Sequence, residues 1–298
     1  MENMVRVISE DGGIVLCVLN STEIVKNMEK YHKTSAVVSA ALGRVLTAAS
    51  LMGTWLKNPE DSLTVRVNGG GPVGTLLVVS DGDGNVRGWA GQPVVEIPLR
   101  ADGKLDVGTA VGRDGSLSVV RDLGLKKPYV GQVPLVSGEI ADDITSYYAT
   151  SEQTPTVCAL GVLVEKDLSI RNAGGFLLQL LPGVEEEYIE KIEKNIEKLA
   201  SITELLEEGY TIDAIADLVM DGLGPEVLER RQVEYRCYCN EEKSFKILKS
   251  LGLEELEKMK EESPVARVEC HFCDKTYTFP LSELIQDYHR GKDESKQP

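Results

Sequence analysis

Histidine is nearly absent from the 298-residue sequence: there are three, and only His32 precedes residue 271. A Ser-His-Asp or Cys-His arrangement therefore has a single candidate base in the whole N-terminal part. Neither G-x-S-x-G nor G-x-x-x-x-G-K-[ST] occurs, so the sequence has no hydrolase nucleophile elbow and no phosphate-cradling P-loop. Positive charge is also scarce. The chain carries 32 Lys+Arg against 48 Asp+Glu, a net charge of −16 that repels phosphate backbones and anionic membrane surfaces. A general nucleic-acid or membrane-surface role is thereby disfavoured. The opening Met1-Glu2-Asn3-Met4-Val5-Arg6 has no basic stretch leading to a small-residue cleavage site, and the expected location is the cytoplasm.

What is present suffices for about two domains with proper cores, since 42% of residues are apolar. Charge divides the chain into zones. Residues 184–221 hold 12 acidic and 3 basic side chains, a net −9, whereas 1–183 is net −4, 222–231 is balanced and 232–298 is net −3. The reading is α+β: a mixed sheet-and-helix domain at 1–183, an acidic helical linker at 184–231 and a small C-terminal metal-binding domain at 232–298. Strand-like runs occur at Val5–Ile8, Ile14–Leu19, Leu63–Val67, Thr75–Val79, Val86–Ala90, Ser116–Val120, Val157–Val164 and Phe176–Leu181, separated by turn signals such as Asp11-Gly12-Gly13 and Asp83-Gly84-Asn85. Helices are expected at about Thr22–Lys30, Ser35–Leu56 and Glu139–Thr150.

Two features of the first zone invite over-reading. Ala36 to Leu56 is apolar enough to raise a membrane question, but Ser39, Gly43, Arg44, Thr47, Ser50 and Gly53 interrupt it, as in a buried helix of a soluble domain. Gly69-Gly70-Gly71-Pro72-Val73-Gly74 fits G-x-G-x-x-G, yet it joins two strands and opens no helix that could hold a pyrophosphate, so it reads as a turn. Cys17 and Cys158 lie in apolar strand runs, where a thiol is expected to be buried and structural.

In the second zone, Ile189, Ile192, Ile196 and Leu199 make one narrow stripe on a helix otherwise dense in Glu and Lys. Pairs Glu187–Lys191 and Glu190–Lys194 support it by about 0.2–0.5 kcal/mol each, and the like-charge pair Glu193–Glu197 cancels one of them. A second amphipathic run follows at Ile212, Ile215, Ala216, Leu218 and Val219. Neither helix is stable alone in water, so both need a partner surface.

The third zone carries the chemistry. Cys237-Tyr238-Cys239 is followed after 30 residues by Cys270-His271-Phe272-Cys273, in a segment whose small apolar inventory leaves it near the size limit for a domain held by a core alone. Four thiolates around Zn2+ would supply the missing stabilisation, about 10–16 kcal/mol of apparent binding in small zinc peptides. His271 and His289 are rival ligands on paper, but His271 sits between two Cys that already turn toward the metal and is expected at the surface. A closed structural zinc site usually has wider spacing than C-x-C, which hints at reactivity. With Zn–S about 2.3 Å, tetrahedral geometry puts sulfurs about 3.8 Å apart, so little motion separates bound thiolates from a disulfide of about 2.05 Å. Disulfide sulfurs are poor zinc ligands because the thiolate charge has gone. From these residues alone a structural zinc ribbon that binds other molecules and a dithiol oxidoreductase remain open, although the net −3 of this segment argues against a nucleic-acid ribbon.

The whole sequence resembles the heat shock protein 33 family, the redox-regulated 33 kDa chaperonins of bacteria. The resemblance is carried by Ala41-Leu42-Gly43-Arg44, by Gly131 and Ser137-Gly138-Glu139-Ile140-Ala141-Asp142-Asp143, by Ser151-Glu152-Gln153, Gly161-Val162 and Ala173-Gly174-Gly175, and by the two Cys doublets. It implies an ATP-independent holdase, not an enzyme, that binds unfolding client proteins under oxidative stress and is inactive when reduced and zinc-bound. The implied switch forms disulfides Cys237–Cys239 and Cys270–Cys273, releases one zinc per chain, unfolds the linker and brings dimerisation. On this reading the stripe of Ile189, Ile192, Ile196 and Leu199 is the gate that docks the linker over a client-binding surface.

Overall fold

A computed structural model describes residues 2–294. By contacts the chain divides between Arg236 and Cys237 into two compact units. The first contains, in chain order, β1 (Met4–Ile8), β2 (Ile14–Asn20), α1 (Thr22–His32), α2 (Ala36–Gly53), β3 (Ser62–Asn68), β4 (Leu76–Asp81), β5 (Val86–Ala90), α3 (Val107–Val111), β6 (Ser116–Asp122), β7 (Tyr129–Pro134), α4 (Ala141–Tyr147), β8 (Thr156–Val164), β9 (Ile170–Leu180), α5 (Glu186–Lys198), α6 (Ile202–Glu207), α7 (Ile212–Val219) and β10 (Glu226–Arg231). The second holds α8 (Glu241–Lys249), α9 (Leu253–Glu262), β11 (Val265–Glu269), β12 (Thr276–Pro280) and α10 (Leu281–Glu294). The structure is α+β, as the irregular order of strand and helix patterns implies.

The strands of the first unit form two five-stranded sheets, ordered β10-β1-β2-β9-β8 and β5-β4-β3-β6-β7, with antiparallel neighbours throughout. Alternation of side chains along β2 shows how one sheet serves two cores. Cys17 and Leu19 point to a cluster around α1 and α2, while Ile14, Leu16 and Val18 point to another beneath the linker helices. Helix α2 packs on β8 and β9 of the first sheet and on β3, β4 and β5 of the second. Sixteen of its residues are buried. Its polar groups are satisfied inside: Thr47 Oγ1 donates to Gly43 O at 2.8 Å and pairs with Ser21 Oγ at 2.6 Å, and Ser50 Oγ donates to Gly84 O at 2.6 Å. A helix that could by length and composition cross a membrane is therefore the core helix of this unit.

The motifs behind the family resemblance meet in space. Arg44 Nη1 donates to Glu139 Oε2 at 2.6 Å, and the buried Asp143 carboxylate accepts backbone N–H groups from Val136, Ser137 and Ile140 at 2.7–3.1 Å. A Cβ on Gly43 would stand 2.9 Å from Val162 and 3.0 Å from Val25, so α2 reaches its place only with glycine there. The Gly69–Gly74 segment is a turn between β3 and β4, pressed against the backbone of Ala110–Gly112.

Three elements of the first unit lie outside the expected strands and helices: α3, β7 and β10. β10 falls in the charge-balanced stretch 222–231 and pairs antiparallel with β1 from Met4↔Arg231 to Ile8↔Glu226. By contacts the acidic zone belongs to the first unit, because α5, α6 and α7 lie on the first sheet over Val5, Val7, Leu16, Val18, Phe176 and Leu178. Residues beyond β10 then run along the edge of the other sheet, where Val86 N donates to Glu234 O and Arg236 N donates to Val86 O, at 3.0 and 2.8 Å.

Candidate metal centre

The second unit places one pair of cysteines on an irregular segment and the other at a hairpin turn. Cys237-Tyr238-Cys239 runs into α8, whose first turn is closed by Asn240, its side chain accepting from Lys243 N at 2.8 Å. The other pair sits at the tip of the β11–β12 hairpin, where the register brings Glu269 opposite Thr276. Cys270 N donates to Lys275 O at 2.9 Å, and Cys270 O accepts from Cys273 N at 3.2 Å and Asp274 N at 2.9 Å. Asp274 closes this turn with φ +55°, in the left-handed region that Asp tolerates better than most residues. The hairpin turn thus fixes two sulfurs before any metal arrives.

All four sulfurs lie within 4.8 Å of one another. Cys237 Sγ is 3.6 Å from Cys270 Sγ, and Cys239 Sγ is 3.4 Å from Cys273 Sγ. These separations approach the roughly 3.8 Å that a tetrahedral tetrathiolate requires, so the donor set fits a thiophilic metal without rearrangement. Cys273 is buried and the other three are half-buried, and all are free thiols. The core beneath them is small: Leu248, Leu256, Ala266, Phe279, Leu281 and Leu284 are its buried members. His271 and His289 are exposed and stand outside the four-sulfur cluster.

The four thiols are not equivalent. Burial raises Cys237 to about 11 and pushes Cys273 up further. At Cys239 burial also opposes ionisation, but hydrogen bonds from Tyr277 and from the Cys273, Cys237 and Cys270 thiols outweigh it and bring this thiol down to about 7. Tyr277 Oη lies 3.3 Å from Cys239 Sγ, and that bond, with burial, raises the phenol to about 12. Near neutral pH the metal-free cluster therefore carries a thiolate at Cys239, the form that attacks oxidants and electrophiles. Tyr277 was not apparent from the cysteine spacing. Its only sequence signal is its place on the apolar-alternating strand that follows the second doublet.

The remaining cysteines belong to the first unit and are not members of this cluster. Cys17 is buried in the first unit, where Arg6 Nε donates to its sulfur at 3.3 Å, and burial raises its thiol despite that cation. Burial pushes the Cys158 thiol far above the usual range.

Of the linker stripe, Ile192 is 3% exposed and joins the cluster on the first sheet, with Ile196 and Leu199 packed at its margin. Ile189 is half-buried and outside that cluster, and Tyr188 and Val184 take the position expected for it. In α7, Ile212, Ile215, Ala216 and Val219 face the sheet, while Leu218 is 39% exposed.

The profile of the family described as Hsp33 protein matches residues 2–280. The chain is 44% identical over 281 residues to the 33 kDa chaperonin of Alkaliphilus metalliredigens, covering 94% of this chain and 96% of that one. It is 45% identical over 283 residues to the 33 kDa chaperonin of Clostridioides difficile, covering 95% and 97%. The crystal structure of the 33 kDa chaperonin of Thermotoga maritima superposes with a TM-score of 0.89 at 37% identity, over 98% of this chain and all of the other. Similarity of this depth runs through both units and takes in the sheets, the linker helices and the whole cysteine hairpin: the chain belongs to the Hsp33 family.

Proposed function

We propose that this chain is a redox-regulated, ATP-independent holdase of the cytoplasm that captures unfolding proteins stoichiometrically, without catalytic turnover and without nucleotide or nucleic acid. Its place among the 33 kDa chaperonins supports the chaperone role. The observation that carries the regulation is the pairing of a four-thiol cluster with a unit whose core has six buried members among the described residues. In the reduced state Cys237, Cys239, Cys270 and Cys273 would hold one Zn2+, which when bound supplies folding energy to a unit too small to be secure without it. An oxidant such as a peroxide would act on these four sulfurs. Forming each disulfide moves two electrons from a pair of thiolates to one peroxide, which takes up two protons and leaves as two waters. Oxidised in this way, the sulfurs no longer hold the ion and the second unit loses its staple.

The pairings Cys237–Cys239 and Cys270–Cys273 suit such a switch better than the cross-doublet pairs that happen to lie closest here. A cross-link over three or four residues removes about 1.6–2 kcal/mol of unfolded-chain entropy, whereas one closing about 34 residues removes about 3.8 kcal/mol and would hold the unit compact. Pairing within doublets therefore frees the chain to unfold. Release then spreads to α5–α7, which cover the first sheet with a thin apolar stripe, and baring Val5, Val7, Leu16, Val18, Phe176 and Leu178 exposes a surface for clients and for the homodimer that accompanies activation. The net −9 of 184–221 keeps such complexes soluble by like-charge repulsion.

The test is light scattering of a denatured client with reduced and peroxide-treated protein side by side, zinc release being followed in the same samples with a chromogenic chelator. Suppression only after oxidation, with about one zinc released per chain, is the expected result. Suppression by the reduced metal-bound protein, or none in either state, refutes the reading. The thiolate at Cys239 also suits a dithiol oxidoreductase, which multiple turnover of a disulfide substrate would identify.

A further inference from the structure

β10 is an edge strand held in an unusual way. Its side chains contribute little to either core, with Val227 50% and Leu228 54% exposed. What keeps it on β1 is the main-chain ladder from Met4↔Arg231 to Ile8↔Glu226, together with a few ion pairs. Arg6 Nη1 meets Glu229 Oε1 at 2.7 Å, Arg231 Nη2 meets Glu229 Oε2 at 2.8 Å, and Arg230 Nη1 meets Asp213 of α7 at 2.5 Å. One end of β10 continues from the α5–α7 layer through the buried Leu223, and the other leads within six residues to Cys237. If the α5–α7 layer unfolds, this strand loses its anchor at the Glu226 end and has no buried side chains of its own to hold it, so it can peel from β1 about the pivot that Val233 and Tyr235, buried in the first core, leave at its other end.

We propose that the β1 edge vacated by β10 is a client-binding site that captures an extended segment of an unfolded polypeptide by strand addition. The inference rests on the holdase reading above and specifies where and how a client is held. The bound strand in the structure shows what the edge accepts: a backbone in antiparallel register whose side chains are largely in solvent, which is recognition of main chain rather than of sequence. Unfolded clients share exactly that feature and little else. The edge also adjoins the apolar face bared with it, since Val5 and Val7 belong to both, so alternate side chains of an added strand would lie beside Val5 and Val7 at the margin of that face. Arg6, freed from Glu229, favours a client carboxylate at that register.

The test cross-links β10 to β1 irreversibly. Arg6→Cys and Glu229→Cys, which are direct partners in the ladder, are combined with Cys17→Ser, because Cys17 faces position 6 from β2. Dibromobimane bridges the pair in reduced, metal-loaded protein, and the same variant capped singly with N-ethylmaleimide is the control. After peroxide treatment both samples should release metal and show protease cleavage within residues 184–221, and both should dimerise on size exclusion. The bridged sample should capture denatured client at least five-fold less well. Equal capture overturns the proposal. Loss of capture together with a still-protected α5–α7 layer overturns it as well, because the helix-covered face would then account for the loss. Loss of capture together with loss of the dimer assigns the edge to a second copy of β10 and likewise overturns it. An oxidised control that captures nothing refutes the holdase reading itself, a result separate from the others.

Discussion

Replacing Ile192 tests whether the linker layer is a gate. Ile192 is the one fully buried residue of α5, a 13-residue helix whose other sheet-facing contacts, Tyr188, Ile196 and Leu199, are only partly buried. Asn195 adds polar ties, its Nδ2 donating to Val219 O at 3.1 Å and Asp221 O at 3.0 Å. Truncating a buried Ile to Ala costs about 2–4 kcal/mol. At about 1.4 kcal/mol per factor of ten, the docking equilibrium of α5 should shift about 30- to 700-fold toward the lifted state. Ile192→Glu goes further, since burying an unpaired carboxylate costs several kcal/mol while the lifted helix simply hydrates it. Amide exchange across 186–198 reads this directly: protection should fall by the stated factor in Ile192→Ala and vanish in Ile192→Glu, with α2 unchanged and metal content still one per chain. Reduced Ile192→Glu protein should then suppress client aggregation. Ile189→Glu, one turn away and outside the cluster, should leave protection and activity close to the parent. Full protection of α5 in Ile192→Glu, or exchange without capture in the reduced state, would refute the gate.

Cys17 and Cys158, both raised by burial, should resist iodoacetamide at pH 8 in the native protein and label only after denaturation, and Cys17→Ser and Cys158→Ser should leave peroxide activation intact; peptide mass spectrometry and the capture assay decide. Burial also raises Tyr147 and Tyr148. Since the folded state holds these four protons more tightly, stability is unaffected while the unfolded chain is also protonated and falls once pH passes the ordinary values of 9.0 for Cys and 10.0 for Tyr. The fall should be about 1.4 kcal/mol per pH unit for each ionising group, and urea midpoints at pH 8, 9.5 and 10.5 that do not decline would contradict it. Stripping the metal from reduced protein with a strong chelator should lower helicity from α8–α10 while α2 keeps its exchange protection, and a second unit that stays folded would show that its six-residue core suffices.

Much of this architecture could be read before any coordinates. Strands such as Ile14–Leu19 and Ser116–Val120 announce themselves by apolar runs bounded by Gly and Asp, and α2 by an apolar stretch too interrupted for lipid. The four-cysteine cluster was legible because doublets with thiol chemistry need no tertiary context to be suspected. β10 was not, because its sequence, Glu-Val-Leu-Glu-Arg-Arg, has none of the alternation that a core imposes: its pairing is a main-chain matter decided by the open edge of β1. One position of the α5 stripe differs from the sequence pattern. Counting only aliphatic residues selects Ile189, whereas the sheet takes the aromatic Tyr188 together with Ile192 and Ile196, and a periodicity of 3.6 tolerates either choice. Tyr277 escaped notice because a hydrogen bond to a thiol leaves no spacing signature.

The sheet that carries β1, β2, β9 and β8 is a partition between two separately packed interiors, one side filled by α1 and α2, the other only by the acidic layer. Melting of that layer strips one side of the wall while the other stays bonded to a helix that is buried almost all round. Heat should accordingly unfold the chain in stages, with calorimetric and van't Hoff enthalpies that disagree. A body that survives the loss of its own cladding can be opened and closed many times, which is the property that the proposed switch would require of the molecule.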